Sequence, residues 1–307
     1  MEVTMKATVF EEFGGPEVLH VGDVDEPHAG PGQVRVRVKA AGVNPMDWKI
    51  RHGWMQEVMP VELPSVPGLE AAGVVDEVGE GVTDFAVGDE VVGSAVRAYA
   101  EHALMTVAVK KPAGLDWNRA VALPVAGETA SRVLGALGVE KGETLLVHGA
   151  AGAVGAIAVQ FAVARGATVI GTASPANHDY VSSLGATPVA YGDGLVERVR
   201  AAAPQGVDAV FDTAGKGALP DSIELRGGTT DRVITIADMA AQQLGVAFSG
   251  GGSTPEQRRS YLTDALALAA EGALDVRVAR TYTLAEAADA HAESEAGHAR
   301  GKLVIVP

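Results

Sequence analysis

The chain predicts an α/β protein in which a β-rich unit, split in the sequence, surrounds a doubly wound parallel sheet. Three observations predict it. The first third carries many short strands punctuated by Gly and Pro, as small barrels do. From about Leu115 strands alternate with helices, the pattern of a parallel sheet covered on both faces. The final stretch returns to a mixed pattern. A length of 307 residues suits two domains. The expected boundaries are 1–115 and 255–307 for the split unit, and 116–254 for the inserted one.

The elements follow in order. Gln33 to Lys39 alternates strictly, with Val34, Val36 and Val38 on one face and Arg35, Arg37 and Lys39 on the other: a half-buried strand. Ala72–Val78 and Asp89–Gly93 read as further short strands. Asp116–Ala122 and Gly127–Leu137 read as helices. Strands are then expected at Thr144–His148, Thr168–Thr172, Val207–Phe211 and Arg232–Ile236, with helices at Ala153–Arg165 and Pro175–Leu184. The first of these helices places Val154, Ile157, Ala158, Phe161 and Ala162 on one face. Ser174-Pro175 is a helix start and Gly185 a stop. Thr254-Pro-Glu-Gln257 and Thr283-Leu-Ala-Glu286 both have the spacing of a capping box, and Lys302–Val306 reads as a last strand.

Composition narrows the function classes. A formal charge of -15 repels phosphate backbones, so neither nucleic acid nor an anionic membrane is an expected partner. Cysteine is absent, which excludes disulfides, thiolate metal sites and a cysteine nucleophile, and fits a cytoplasmic protein. The start of the chain lacks a secretory pattern, and no apolar run is long enough to span a bilayer. The eight His residues show no ligand spacing, so no metal is expected; His148, beside a Gly-rich turn, is the one to watch.

The strongest local signal is Leu145-Leu-Val-His-Gly-Ala-Ala-Gly-Ala-Val-Gly155, an apolar strand running into a Gly-rich turn and a helix. Gly149, Gly152 and Gly155 let the backbone approach a pyrophosphate and let the helix pack on the strand. The helix N-terminus adds free N–H groups and a positive dipole end. The alternative is a plain structural turn. The next strand ends without the acidic residue that binds an NAD ribose; Ser174 and Asn177 suit the 2′-phosphate of NADPH, although Ser174 also reads as a helix cap.

The chain resembles the medium-chain dehydrogenase/reductase superfamily, and within it the zinc-free quinone oxidoreductase branch. The resemblance rests on Ala41-Gly-Val-Asn-Pro-Met-Asp-Trp-Lys-Ile-Arg51, Pro67-Gly-Leu-Glu-Ala-Ala-Gly73, Val87-Gly-Asp-Glu-Val91, Ala98-Tyr-Ala-Glu101, Ala122-Leu-Pro124, the Gly149–Gly155 turn, Phe211-Asp-Thr-Ala-Gly215 and Arg300-Gly-Lys302. It implies a GroES-like β-barrel catalytic domain plus a Rossmann domain, NADPH as cofactor, and a quinone or α,β-unsaturated carbonyl as substrate. Leu69 stands where zinc-dependent members carry a His ligand.

The resemblance also assigns residues. Asn44 lies near the nicotinamide ribose and belongs to the active-site wall Asn44–Arg51. Lys49 polarises the acceptor carbonyl or feeds the proton, or is a solvated loop residue. Asp47 orients Lys49 or caps a turn. Thr129 lies close to the nicotinamide, and Gly152, Ala153 and Val154 form the pyrophosphate loop. Ser174, Asn177 and Tyr191 surround the adenosine phosphate. Lys302 is a basic cofactor contact, or a surface residue at a strand start. Trp48, Trp54 and Met55 line an apolar substrate pocket or belong to the core. A homodimer through the sheet edge near Val246–Ser249 is implied. Two alternatives stay open: a tailoring enoyl or ketone reductase of a biosynthetic pathway, and a non-catalytic NADPH-binding sensor.

Overall fold

The computed structural model describes residues 3–297 and 299–307. The chain divides into two compact units: residues 1–125 with 255–307, and residues 126–254. The first unit opens with β1 (Thr4–Val9), β2 (His20–Asp25), β3 (Val34–Val43), α1 (Pro45–Arg51), β4 (Glu70–Val78), β5 (Glu90–Val96), β6 (His102–Lys110) and α2 (Trp117–Ala120). The second carries α3 (Pro124–Leu137), β7 (Thr144–His148), α4 (Ala153–Ala164), β8 (Thr168–Thr172), α5 (His178–Ser183), β9 (Thr187–Val189), α6 (Leu195–Ala202), β10 (Ala209–Asp212), α7 (Leu219–Leu225), β11 (Val233–Thr235), α8 (Ala241–Leu244) and β12 (Ala247–Phe248). The chain then returns to the first unit through α9 (Pro255–Ala270), β13 (Val278–Thr283), α10 (Ala287–Ala296) and β14 (Lys302–Val306). Among the described residues no helix is long and apolar enough to cross a membrane.

In the first unit β3 is the central strand. Val34, Val36 and Val38 are buried while Arg37 and Lys39 face solvent, the expected period of two. The strand runs past Lys39 to Val43, and there Ala40 to Val43 are all buried. The reason is tertiary: this half pairs with β14 on one side and β4 on the other. The first half of β3 pairs instead with β6, and β4, β5 and β6 follow as antiparallel neighbours. The β3–β6 pairing closes a small barrel. This unit continues beyond Leu115 to Val125, ten residues past the expected boundary. Asp116 caps α2 through the Asn118 and Arg119 N–H groups, and the Val125 N–H donates to Glu70 of β4 at 2.8 Å. A helical look at Asp116 therefore marked a helix, not the change of unit.

The second unit is a six-stranded sheet in the order β12-β11-β10-β7-β8-β9, parallel throughout. The chain winds outward from β7 to β9, then restarts at β10 and winds the other way. That reversal puts a topological switch point at the C-terminal ends of β7 and β10, where such sheets bind ligands. Strands β7 and β8 begin and end where the alternation predicts. Helix α4 is buried nearly all round, on Gly155, Ala156, Ile157, Ala158, Val159 and Ala162, so its core face is wider than the predicted stripe, and Val154 and Phe161 are only partly buried. Gly185 ends α5 with a positive φ of 94°. Thr283 and Glu286 pair as the spacing predicts: the Thr283 N–H donates to the Glu286 carboxylate at 2.8 Å.

Candidate active site

Each unit contributes one cluster of candidate residues. In the second, the Gly149–Gly155 turn joins β7 to α4 at the switch point. Its three glycines have different reasons to be glycine. Gly149 has a φ of 74°, a conformation side chains resist. Gly155 packs so closely that a Cβ would sit 2.2 Å from the Gly149 carbonyl oxygen. Gly152 is the N-cap of α4, and a Cβ there would meet only that same oxygen, at 3.3 Å. No other atom lies within 4 Å of that position, so packing does not require glycine there. Ala153 and Val154, the first two helical residues, present N–H groups with no intrahelical acceptor. Free N–H groups at the positive end of a twelve-residue helix fit a pyrophosphate.

Side chains of neighbouring strands hold this turn. Thr213 donates to the His148 carbonyl at 2.6 Å, and Thr172 accepts the Gly149 N–H at 3.2 Å. His148 is buried and braces Thr172. The Ser222 hydroxyl donates to the Ala218 carbonyl, so it accepts from His148 Nε2 at 2.9 Å. Nδ1 is then the acceptor, facing Thr172 Oγ1 at 3.3 Å. Burial holds the imidazole neutral, down to a pKa of about 4. His148 is thus a brace under the turn, a role its place in the sequence flagged without specifying.

The remaining cofactor candidates of this unit are less enclosed. Ser174 stands at the N-cap position of the segment before α5 without a side-chain capping bond, and Asn177 Nδ2 donates to its hydroxyl at 3.1 Å. The Tyr191 ring is 61% exposed. Arg198, which sequence reasoning missed, donates to the carbonyls of Ala190, Tyr191, Gly192 and Asp193 and so sets a cation against the loop that carries Tyr191. It lies five to eight residues from these carbonyls, a spacing no motif marks. Thr129 is buried on α3, its hydroxyl 3.3 Å from Glu128.

In the first unit the segment read as a loop around Lys49 is helix α1. Its start is chemically ordinary: Asn44 at the N-cap, Pro45 at the first turn and Asp47 accepting the Asn44 N–H at 2.7 Å. Of the two readings of Asp47, the structure shows the cap. Its bonded oxygen also accepts from the Tyr99 hydroxyl at 3.1 Å, and no contact joins it to Lys49. The other oxygen, Oδ1, has no hydrogen-bond partner. Burial pushes this carboxyl up to about 7.

Asn44 turns its amide away from the helix. Nδ2 donates to Glu70 at 2.8 Å and Oδ1 accepts from Lys302 Nζ at 2.7 Å. Lys302 also forms a buried ion pair with Glu70. The reading of Lys302 as a surface residue at a strand start is therefore corrected: the ammonium is buried and its charge is matched by Glu70. Glu70, Tyr99 and His291 are the participants that sequence reasoning missed. Glu70 had a signal, a lone carboxylate in the small-residue run Pro67–Gly73.

Arg51 is fully buried, bonded to the Gly14 carbonyl, to His291 Nδ1 at 3.0 Å and to Glu295. His291 Nε2 then faces the Tyr99 hydroxyl at 3.4 Å, which passes its own hydrogen to Asp47. Burial first, and the Arg51 charge second, hold His291 neutral down to about 3.

These buried groups predict an acid-labile fold. His148 and His291 have folded pKa values below the ordinary 6.5, so their contribution is present above pH 6.5 and lost as pH falls. Asp47 has a folded value above its ordinary 3.8, so it contributes the opposite way below about 7. Between pH 6 and 4.5 the unfolded chain therefore holds a net one proton more from these three groups. Stability should therefore fall as pH is lowered through that window, read as a falling midpoint in urea titrations. His148→Gln should flatten that slope; an unchanged slope would mean the imidazole is already charged in the fold.

Lys49 lies on α1, partly buried, with its ammonium 5.6 Å from the centre of the Trp48 ring. Desolvation lowers its pKa. Trp48 and Trp54 meet edge to face at 5.7 Å, and Trp54 stacks on His52 at 4.5 Å. Trp54 is nonetheless 66% exposed, while Met55 packs on the barrel core. The structure thus joins the two Trp residues and assigns Met55 to the core reading.

Among the described residues one group has the spacing of metal ligands: Glu26, Asp76 and His102. The Arg35 guanidinium already lies among them, 2.7 Å from Glu26 and 3.0 Å from Asp76. That arrangement is an ion-pair network on the barrel, and a second cation there would meet the first.

Comparison with known proteins identifies the family. The alcohol dehydrogenase GroES-like domain family matches residues 30–111, and the zinc-binding dehydrogenase family matches residues 184–305. A 2-haloacrylate reductase from a Burkholderia species is 33% identical, covering 98% of this chain and 98% of that protein. The structure of the quinone oxidoreductase from Coxiella burnetii superposes with a TM-score of 0.89 at 31% identity, covering 99% of this chain and 100% of that one. A mycobacterial protein solved in complex with NADPH gives 0.86 at 30% identity, over 99% and 100%.

Proposed function

Since this chain belongs to the quinone oxidoreductase branch of the medium-chain dehydrogenase/reductase superfamily, we propose that it is an NADPH-dependent reductase of quinones or α,β-unsaturated carbonyl compounds. The observation that carries the reading is the open Gly152 position at the N-terminus of α4, on the sheet's switch point. Bound there, the cofactor supplies hydride to an electron-poor carbon.

The chain's own residues do the rest. Ala153 and Val154 hold the pyrophosphate by their N–H groups. Ser174, Asn177 and Tyr191 surround the adenosine phosphate, and Arg198 sets a positive charge against the loop that carries Tyr191. The Lys49 ammonium donates to the acceptor oxygen as negative charge develops on it. Asn44, held by Glu70 and Lys302, fixes the wall from which α1 projects. Zinc has no part in this reading. In support, cysteine is absent and Leu69 packs on the core. We further propose a cytoplasmic homodimer through β12, an edge strand whose Ala247 and Phe248 are exposed; bare edges of this kind are usually paired.

The test is NADPH consumption with a simple quinone, a cyclic enone and a saturated alcohol in reverse, each with and without a chelator. Chelator-resistant reduction of quinone or enone is expected. Lys49→Met should lower kcat/KM by about 100-fold, the lower end for a lost proton-donating group. Alcohol oxidation that chelation abolishes would sink the mechanism.

A further inference from the structure

The chain has eight lysines, and their surroundings sort them sharply. Lys6, Lys39, Lys110, Lys141 and Lys216 are exposed, Lys6 and Lys110 beside Asp23 and Asp89. Lys111 and Lys302 are buried and each is paired with a carboxylate, Glu90 and Glu70. Lys49 alone is partly desolvated without an acidic partner among the described residues; its neighbour is the face of Trp48. Partial burial lowers its pKa and no carboxylate offsets this, so more of Lys49 than of an exposed lysine is present as the nucleophilic free amine, while the Trp48 face supports the ammonium that remains. The aromatic cluster of Trp48, His52 and Trp54 stands beside it on the same helix and its exit turn. No cysteine thiol competes for an electrophile anywhere in the chain.

We propose that Lys49 is a covalent attachment site for α,β-unsaturated aldehydes, which it captures as an imine. The lone pair of Nζ forms a bond to the aldehyde carbon, and the carbonyl π pair moves to oxygen. The two amine hydrogens leave with that oxygen as water, and the C=N bond closes. Nothing is oxidised or reduced, and no co-reactant is needed. Once protonated, the imine withdraws electrons from the β-carbon more strongly than the aldehyde does. Unsaturated aldehydes thereby become a distinct acceptor class, since ketones and quinones condense with amines far less readily. The proposal rests on the reductase reading only in taking such aldehydes as acceptors.

The experiment traps the imine. Wild-type protein loaded with NADP+, so that no turnover occurs, is incubated with but-2-enal at neutral pH and reduced with borohydride. Peptide mass mapping then locates the reduced butenyl group. The expected result is one dominant label on the peptide containing Lys49, severalfold above Lys39, Lys141 and Lys216, and its loss in Lys49→Arg. Label spread evenly over the exposed lysines, or no label at Lys49, overturns the proposal; the wild-type map decides this even if the variant misfolds. Quinone turnover is assayed on the same preparation. Turnover without label rejects only the imine, and label without turnover rejects only the reductase.

Discussion

Replacing Glu70 with Ala should destabilise the fold by roughly 3–5 kcal/mol, the usual result of stranding one charge of a buried pair. Glu70 is fully buried and makes three attachments: it pairs with Lys302, accepts the Asn44 amide and accepts the Val125 N–H. Without it the Lys302 ammonium keeps only the Asn44 carbonyl oxygen. Folding free energies are about 5–15 kcal/mol in total, so the loss should be plain in the urea midpoint. The double change Glu70→Gln with Lys302→Met removes both charges and should recover most of the stability. If Glu70→Ala alone shifts the midpoint by less than about 1 kcal/mol, Lys302 has another partner or releases its proton.

Gly155→Val should abolish tight NADPH binding, raising the dissociation constant about 100-fold or more, equivalent to ~2.7 kcal/mol. The added Cβ falls 2.2 Å from the Gly149 oxygen and 2.9 Å from its carbon, and both atoms are backbone of the turn itself. They cannot swing aside as a side chain would, so the turn and the start of α4 must separate. Gly152→Ala is the informative partner. Its Cβ meets only one oxygen at 3.3 Å, so the fold should survive, while the phosphate's approach is hindered. A Gly152→Ala protein that melts with the wild type yet binds NADPH weakly would separate the cradle from the scaffold. Equal binding by all three proteins, measured by fluorescence titration, would remove this turn from the cofactor site.

Residues whose fate is decided by near neighbours were legible in the sequence. Alternation located β3, the strand–turn–helix pattern located β7 and α4, and Thr283 with Glu286 located a cap, because each feature is a local hydrogen bond or a period of burial. The Gly-rich turn was legible for the same reason, and so was α1 in principle, since Asn44, Pro45 and Asp47 carry an ordinary helix start. Reading that segment as an active-site wall hid the helix in plain view.

What the sequence by itself determined, then, is the split β and α/β architecture, the missing cysteines and the Gly-rich turn between β7 and α4. Tertiary structure alone decided the charge pairing. Lys302 meets Asn44 across 258 positions and Arg51 meets His291 across 240. No periodicity or motif spacing reaches that far. A lysine in a strand reads the same whether it ends in water or against Glu70, because its environment is made of residues brought in by the barrel. Burial then sets the protonation of Asp47, His148 and His291, and burial is a property of the assembled core.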